Sequence, residues 1–481
     1  MNLDLHIADL NCPEMPELFR LKEEIDDAVL FRVVGRVSAI SGESIEIEGL
    51  TVPLGAICQV TTQTGQHLKG RVIGFRGVRP LLAPLEPLES VTAGDRVELL
   101  EKQQHLLVGD SLCGRVLDAF GQAIDGQPLA RDLYRVRAEQ KPPATLDRPP
   151  ICEAIETGVR VIDGLLTCGR GQRIGIFAGS GVGKSTLLGM LANACKADRI
   201  VIAMVGERAR EVKEFIHHCL GDMGLSRSVV VVATSDAPAA QRVTAAWTAT
   251  SIAESFRDQG HHVLLLFDSV TRFATAQREL GLAAGEPPTT RGFPPSVFQA
   301  LPRLVERAGC SLKGAITAFY TVLVEGDDHQ EPIADSLRSL LDGHLVLTRE
   351  LAEESHYPPI DPLQSISRLQ PKLVDKSLVS AVGKIRRLLA DYRKHADLIA
   401  IGAYRQGTDP RIDSAISMHD RYKSLAIQDW RDVTSLSESQ EMIANLALRK
   451  NCRVQLLKQS PFRVMTPSAL RLIFETGDEF V

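Results

Sequence analysis

The sequence predicts an α/β protein built around a parallel sheet, with a small β-barrel before the sheet and a helical domain after it. Three observations support this prediction. Short segments of alternating polar and apolar residues run from about 30 to 100, strand-like runs alternate with helical patterns between about 170 and 350, and only helical periodicity remains beyond about 376. Strands that alternate with helices imply βαβ units, whose parallel sheet is covered by helices on both faces.

The N-terminal part of the chain contains two segments of different character. Residues 1–29 form an acidic segment, with eight acidic residues against two basic ones. Residues 30–100 alternate in polarity, as in Ser44–Glu48, and turns that contain glycine interrupt the alternation at short intervals. Short strands separated by such turns predict a small β-barrel, with a β-sandwich as the alternative.

The central segment, residues 101–375, contains the signals of the parallel sheet. A proline-rich stretch over residues 141–150 is expected to form an extended connector. After it come six apolar runs of strand length: Ile174–Ala178, Ile200–Val205, Val229–Ala233, Val263–Phe267, Ile316–Val322 and Leu345–Leu347. Helical patterns lie between these runs, as a parallel sheet requires.

The C-terminal part is expected to be helical over residues 376–447. Apolar residues recur at helical spacing from Val382 to Ile399, with five basic residues between them. We interpret the basic residues as a solvated helix face rather than as a binding site. Residues 448–481 carry six basic residues against three acidic ones and form a C-terminal extension to which the sequence assigns no role.

The composition excludes several classes of protein. Of 481 residues, 44% are hydrophobic and 24% are charged, which is close to the average for globular proteins. No apolar run approaches the roughly 20 residues of a membrane-spanning helix, and no signal-peptide pattern is visible, so we expect a cytoplasmic protein. Nine cysteines without a Cys-x-x-Cys pair predict reduced thiols and no structural metal site. The net charge of −5 comes from the acidic N-terminal residues, and the near-neutral remainder of the chain argues against a dedicated nucleic-acid surface.

The most informative motif is a glycine-rich loop between a predicted strand and a predicted helix. Residues 178–185 read AGSGVGKS, and the general phosphate-binding motif has glycine where this chain has Ala178. In this context the backbone N–H groups of the loop and of the helix N-terminus face phosphate oxygens. Lys184 would neutralise the β- and γ-phosphates, and Ser185 would hold Mg²⁺. The residues expected to bind ATP are Gly179, Ser180, Gly181, Val182, Gly183, Lys184, Ser185 and Thr186.

Two carboxylates follow predicted strands of the same sheet. Asp268 ends the run that begins at Val263 and is expected to hold the same Mg²⁺ as Ser185. Glu207 follows the run that begins at Ile200 and is a candidate for orienting the attacking water. The local sequence leaves an alternative open for Glu207, which is an acidic residue near the N-terminus of a helix.

Five ordered motifs resemble the catalytic subunits of rotary ATPases. They are Gly179–Thr186, Val205–Arg208, Asp268–Ala274, Gly292–Val297 and Tyr357–Arg368. Four further segments resemble the flagellar and type III secretion export ATPases more closely than the ATP synthase subunits: Thr157–Cys168, Arg210–Phe215, Tyr320–Asp328 and Ser339–His344. The resemblance covers about residues 30–445 and implies a RecA-like P-loop NTPase domain in the centre of the chain.

The resemblance implies roles for individual residues. Glu207 matches the glutamate that orients the attacking water, and Arg208 and Arg272 match arginines near the γ-phosphate. Tyr357 matches the aromatic residue that packs on the adenine ring. Arg368 matches an arginine that reaches across a subunit boundary into the nucleotide of the neighbour. One chain would then serve two active sites, which implies a ring and most simply a homohexamer.

The resemblance also implies partners and a location. A central coiled-coil stalk protein would enter the pore of the ring, and a stator-like negative regulator would bind the acidic N-terminus. Chaperone–substrate complexes would bind the C-terminal domain, and the export gate would be a further partner. Membrane association would be indirect, through partners at the cytoplasmic face of the inner membrane.

Four hypotheses follow for the function. The first is a Mg-ATP hydrolase that energises protein export through a flagellar or type III secretion apparatus. The second is the catalytic subunit of an ion-translocating rotary (F/V-type) ATPase, which would copurify with a different, non-catalytic ring subunit. The third is a nucleic-acid translocase. It would need stacking aromatic residues in its barrel, and residues 30–100 contain only Phe31 and Phe75. The fourth is a nucleotide-switched scaffold without turnover.

Overall fold

The computed structural model describes residues 33–88, 90–324 and 331–448. The acidic segment over 1–29 and almost all of the C-terminal extension over 448–481 lie outside the described residues. The chain divides into two compact units, one ending at Gln103 and one beginning at Gln104.

Six antiparallel strands close the barrel of the first unit in the order β1-β2-β5-β4-β3-β6. They are β1 (Val34–Ser41), β2 (Ser44–Glu48), β3 (Ile57–Thr61), β4 (His67–Arg76), β5 (Arg79–Pro84) and β6 (Arg96–Glu101). Apolar side chains from these strands, such as Ile45, Val60 and Val97, form the fully buried core of the barrel. The predicted barrel is confirmed, and the sandwich alternative is wrong because β1 pairs with β6 and closes the sheet.

The second unit is organised around a mostly parallel sheet. The strands of this unit are β7 (His105–Val108), β8 (Val116–Leu117), β9 (Tyr134–Arg137), β10 (Arg173–Ala178), β11 (Arg199–Glu207), β12 (Ser228–Thr234), β13 (His262–Asp268), β14 (Gly309–Cys310), β15 (Ala315–Leu323), β16 (Gly343–Leu347) and β17 (Ile366–Ser367). Strands β7 and β9 form a separate pair, and the other strands form the sheet. The order is β17-β16-β10-β15-β13-β11-β12-β8, with β14 beside β15. All six predicted strands are present, and the predicted parallel sheet is confirmed.

Helices flank this sheet and continue beyond it to the end of the described chain. They are α1 (Arg160–Leu165), α2 (Lys184–Ala194), α3 (Ala209–Glu214), α4 (Gly221–Ser226), α5 (Ala239–Asp258), α6 (Val270–Ala283), α7 (Pro295–Val305), α8 (Pro332–Leu340), α9 (Arg349–Glu353), α10 (Gln370–Leu373), α11 (Lys376–Ala400), α12 (Pro410–Ala426) and α13 (Leu436–Ala447). Short 3₁₀ turns occur at Asp110–Leu112, Thr145–Asp147 and Thr290–Gly292, and a π-helical turn at Phe215–Leu220. Within the described ranges, no helix combines the length and the apolar character needed to cross a bilayer.

The helical C-terminal domain is confirmed, but its basic residues do not form a uniformly solvated face. Arg393 donates a 2.8 Å hydrogen bond to Asp361, and Arg386 donates a 2.8 Å bond to the carbonyl of Ser365. Lys384 donates to the last residue of α13, 2.9 Å away. Lys384 and Arg393 remain exposed, as the solvated face predicts, whereas Arg386 is half-buried. All three residues also tie α11 to its neighbours.

A buried ion pair joins α5 to the segment that follows α7. The Arg307 guanidinium donates to both carboxylate oxygens of Glu254, at 2.9 and 2.5 Å, and to the Ser251 hydroxyl at 2.7 Å. Both charged side chains are almost completely buried, at 1% and 0% exposure. Removing one partner of such a pair leaves an uncompensated charge in a medium that solvates it poorly.

We expect Glu254→Ala to lower the free energy of unfolding by about 3–5 kcal/mol. Urea unfolding followed by circular dichroism measures this change. The matched control is Glu139→Ala, which removes the partner of the exposed Arg303 and should cost about 1 kcal/mol or less. Equal losses in the two variants would contradict the prediction.

Candidate active site

The carboxyl ends of β10, β11 and β13 meet at one edge of the sheet, because these strands run parallel. β10 leads into the glycine-rich loop, and α2 begins directly after it at Lys184. Gly181 and Gly183 have φ angles of 78° and 99°, which glycine adopts without the strain of a Cβ atom. The unpaired N–H groups of the first turn of α2 are therefore presented beside this loop, as phosphate binding requires.

Lys184 lies between the two carboxylates that the sequence singled out. Its Nζ is 2.5 Å from Oδ1 of Asp268 and 3.3 Å from Oε1 of Glu207. The Thr321 hydroxyl donates a further hydrogen bond of 2.7 Å to Oδ1 of Asp268. The structure thus brings together three predicted site residues that lie up to 84 residues apart in the chain.

Charge is nearly balanced in this buried cluster. Burial lowers the pKa of Lys184, but the Asp268 and Glu207 carboxylates outweigh it, so the pKa is raised above its ordinary value. Lys184 therefore stays an ammonium group. Arg272 adds a second positive charge, with its Nε 3.1 Å from Oε1 of Glu207. Phosphate oxygens that enter the site would compete with the carboxylates for these cations.

Gly206 makes the contact between Arg272 and Glu207 sterically feasible. Its φ is 73°, and a Cβ atom at this position would lie 2.9 Å from the Cβ of Arg272. Arg208 behaves differently from Arg272, because its side chain is 72% exposed and lies 3.5 Å from Glu211. Of the two predicted γ-phosphate arginines, the structure brings only Arg272 to the carboxylate cluster of its own chain.

The oxygen donors beside the loop suit a magnesium ion. Ser185 is exposed in the first turn of α2, and both hydrogen bonds that Asp268 accepts from described side chains end on Oδ1. Its Oδ2 and the Ser185 hydroxyl are hard oxygen ligands of the kind Mg²⁺ takes, usually together with substrate phosphates. In the described ranges, no group of three or more His, Cys, Asp or Glu side chains is placed to hold a metal by itself.

A pocket of about 320 Å³ opens next to the loop, on the side of α2. Tyr357 and Trp430 contribute aromatic rings to its wall, and their side chains are partly exposed, at 43% and 41%. The remaining lining residues are Gly183, Thr186, Leu187, Met190, Pro358, Pro359, Gln428 and Asp429. Trp430 was missed by the sequence reasoning. Its rarity was the available signal, since the chain has two tryptophans.

Arg368 lies at the opposite edge of the same sheet. Its backbone N–H donates to the carbonyl of Asp342, directly before β16, and its guanidinium donates to the carbonyl of Arg338. The other end of β16, Leu347, pairs with Ala178 at the start of the glycine-rich loop. The length of the strand separates the two ends by about 13 Å. Arg368 is thus remote from Lys184 of its own chain.

Two family models match this chain. The model of the ATP synthase alpha/beta family, nucleotide-binding domain, matches residues 158–367, and the model of the T3SS EscN ATPase C-terminal domain matches residues 374–445. The chain is 50% identical over 418 residues to the flagellum-specific ATP synthase of Bacillus subtilis, covering 86% of this chain and 95% of the relative. It is 46% identical over 428 residues to the type 3 secretion system ATPase of Xanthomonas euvesicatoria, covering 89% and 97%.

Solved structures agree with these matches. The assembled ATPase EscN from the type III secretion system of enteropathogenic E. coli is 45% identical, with a TM-score of 0.81 over 86% of this chain and all of that chain. EscN in complex with its central stalk EscO is 44% identical, with a TM-score of 0.78 over the same shares. The matches span the nucleotide-binding part and the C-terminal helices and favour the export type over the ion-translocating alternative. The chain therefore belongs to the family of flagellar and type III secretion ATPases.

Proposed function

We propose that this ATPase energises protein export through a flagellar or type III secretion apparatus, as a homohexameric ring with active sites at the subunit interfaces. The observation that carries this proposal is the placement of Lys184, Glu207, Asp268 and Arg272 at one edge of the sheet, with Arg368 at the other. Because the two ends of β16 are about 13 Å apart, Arg368 would serve the phosphate site of another copy rather than that of its own chain. The assembled state of the relative EscN supports this arrangement.

The residues of the proposed ATP site have separate roles in phosphoryl transfer. The backbone of Gly179–Gly183 and the Lys184 ammonium hold the phosphates. Once phosphate oxygens accept from Lys184, the Glu207 carboxylate is released to accept a proton of the attacking water and to orient it. Arg272 keeps Glu207 in place, and Arg368 of a neighbouring copy stabilises the charge that develops on the γ-phosphate.

Magnesium is assigned to the oxygen donors described above. Ser185 and Asp268 would hold Mg²⁺ together with phosphate oxygens, and the ion would neutralise negative charge on the phosphates. Thr186 and Tyr357 complete the proposed ATP site, with the Tyr357 ring against the adenine. Arg208 is proposed to act near the γ-phosphate only when the neighbouring copy is present, because it is exposed in the single chain.

Further partners follow from the family. A central coiled-coil stalk is supported by the complex of EscN with its central stalk EscO. The stator-like negative regulator at the acidic N-terminus, the export gate and the chaperone–substrate complexes at the C-terminal helices are proposed from the sequence resemblance alone. The proposed location is cytoplasmic, with indirect attachment to the inner membrane.

Steady-state phosphate release from ATP tests the proposal. We expect hydrolysis with Mg²⁺, and loss of hydrolysis when EDTA removes the ion, because the ion that Ser185 and Asp268 would hold supplies the charge neutralisation that phosphoryl transfer needs. Restoring excess Mg²⁺ should restore the rate, which separates metal removal from damage to the protein. Protein that forms rings and releases no phosphate with Mg²⁺ would overturn the proposal.

A further inference from the structure

The pocket lined by Tyr357 and Trp430 is called the base pocket below. Its wall depends on a residue that has no role in the proposed ATP hydrolysis. Gln428 follows α12 and is 3% exposed, although it borders the pocket. Its backbone N–H donates a 2.9 Å hydrogen bond to the carbonyl of Tyr357. Two residues further along the chain, Trp430 forms the second aromatic part of the wall.

The side-chain amide of Gln428 connects this wall to the start of α1. Its Oε1 accepts from the backbone N–H of Arg160 at 2.9 Å, and its Nε2 donates to the carbonyls of Gly158 and Asp432, each at 2.8 Å. Both N–H bonds of the amide are therefore used within the protein. Gln428 has no side-chain donor left for a base, so it does not act by direct recognition.

The segment to which Gln428 is bound is itself held firmly. Gly158 packs so tightly on the end of α2 that a Cβ atom on it would lie 2.4 Å from the Cβ of Ala194. The Asp163 carboxylate accepts hydrogen bonds from the backbone N–H groups of Thr157 and Gly158. The start of α1 is thus held in a fixed position against α2, the helix that follows the phosphate-binding loop.

A second contact reinforces the same connection. Nε of Arg160 donates to the Thr434 hydroxyl at 3.0 Å, and the backbone N–H of Thr434 donates to the Gly158 carbonyl at 3.4 Å. The loop over residues 427–435 is therefore held near both of its ends by Gly158 and by Arg160, the first residue of α1. Trp430 lies between these two fastenings.

We propose that Gln428 is a positioning residue of the base pocket. By clamping loop 427–435 to the start of α1 and to the Tyr357 segment, it fixes the Trp430 and Tyr357 rings in relation to each other and so sets the affinity for the base of the nucleotide. This inference rests on the proposed function of the pocket as the ATP site. It predicts that the loss of the amide weakens recognition of the base and leaves recognition of the phosphates unchanged.

The test compares two ligands on the full chain in the presence of Mg²⁺, with binding measured by isothermal titration calorimetry. ADP reports on base and phosphates together, whereas inorganic tripolyphosphate reports on the phosphate-binding loop alone. Gln428→Met preserves the approximate shape of the side chain and removes its hydrogen bonds. We expect the Kd for ADP to rise about tenfold, the equivalent of about 1.4 kcal/mol, with the Kd for tripolyphosphate unchanged.

Gln172→Met is the matched control. Gln172 is also buried and also makes three side-chain hydrogen bonds, to Gly169, Asp342 and Ser367, but it lies at the amino end of β10, away from the pocket. Its variant should leave the ratio of the two Kd values as in the wild type. A general loss of folded protein would weaken both ligands together, which a positioning role would not do.

The remaining outcomes are decisive as well. A Gln428→Met variant that binds both ligands as the wild type does, or weakens both equally, overturns the positioning role. If that variant does not fold, Thr434→Val tests the same clamp, and an unchanged ratio there overturns the inference. If wild-type protein binds ADP no more tightly than tripolyphosphate, the inference is overturned and the proposed function is not. If wild-type protein binds neither ligand, both the inference and the proposed function are overturned.

Discussion

Replacing Arg368 with alanine is expected to lower the rate of ATP hydrolysis by about 10³- to 10⁵-fold, the range that an arginine finger contributes to phosphoryl transfer. The guanidinium lies at the end of the sheet remote from Lys184 of its own chain, so the loss would occur in the active site of the neighbour. ATP binding to the variant chain should be retained, because its own loop, Glu207 and Asp268 are intact. Phosphate release and nucleotide binding are measured in parallel.

The dependence on protein concentration separates this mechanism from catalysis within one chain. Wild-type specific activity should rise with concentration as rings form, whereas the Arg368→Ala variant should stay low throughout. Arg387→Ala is the matched control, since Arg387 is an exposed arginine on α11 and should behave as the wild type. Wild-type activity that is independent of concentration would contradict the shared active site.

Replacing Glu207 with glutamine is expected to lower turnover by about 10²- to 10⁴-fold, the usual contribution of general acid–base catalysis. The amide fills the same volume and keeps one oxygen for Arg272, but it cannot accept a proton from water. ATP should still bind, since Lys184 and the glycine-rich loop remain. The same pair of measurements, phosphate release and nucleotide binding, applies.

Glu214→Gln is the control for this substitution, because Glu214 lies on α3 with a largely exposed carboxylate. Turnover that survives Glu207→Gln would exclude the water-orienting role. Mixing this variant with Arg368→Ala provides a further check. In rings of equal parts, about a quarter of the interfaces would combine an intact Glu207 with an intact Arg368 by random assortment, so activity should partly return.

The central sheet was predictable because its strands are buried on both faces and therefore form continuous apolar runs. The six predicted runs differ from β10, β11, β12, β13, β15 and β16 by a few residues at most. The strands β8, β14 and β17 have two residues each, too few to produce a pattern in the sequence. These short strands depend on pairing with distant partners, which periodicity does not report.

The candidate site was predictable where one motif defines it and unpredictable where the fold assembles it. The loop that carries Lys184 has a local signature, and Asp268 and Glu207 follow recognisable strands. Trp430 and Gln428 lie in a loop more than 240 residues beyond Lys184, without a motif of their own. Only the packing of the C-terminal helices brings them to the pocket. The hydrogen bonds of Lys384, Arg386 and Arg393 on α11 were unpredictable for the same reason, since their acceptors lie on other elements.

The separation of Lys184 and Arg368 along the sheet has a consequence for the life of the protein in the cell. In the proposed ring, each newly made chain would carry the phosphate-binding part of one catalytic centre and the arginine of another, and neither centre would be complete. Free copies would then accumulate before assembly without hydrolysing cellular ATP at an appreciable rate. ATP hydrolysis would begin only where copies assemble. The site of assembly, rather than the amount of protein synthesised, would then determine where ATP is hydrolysed.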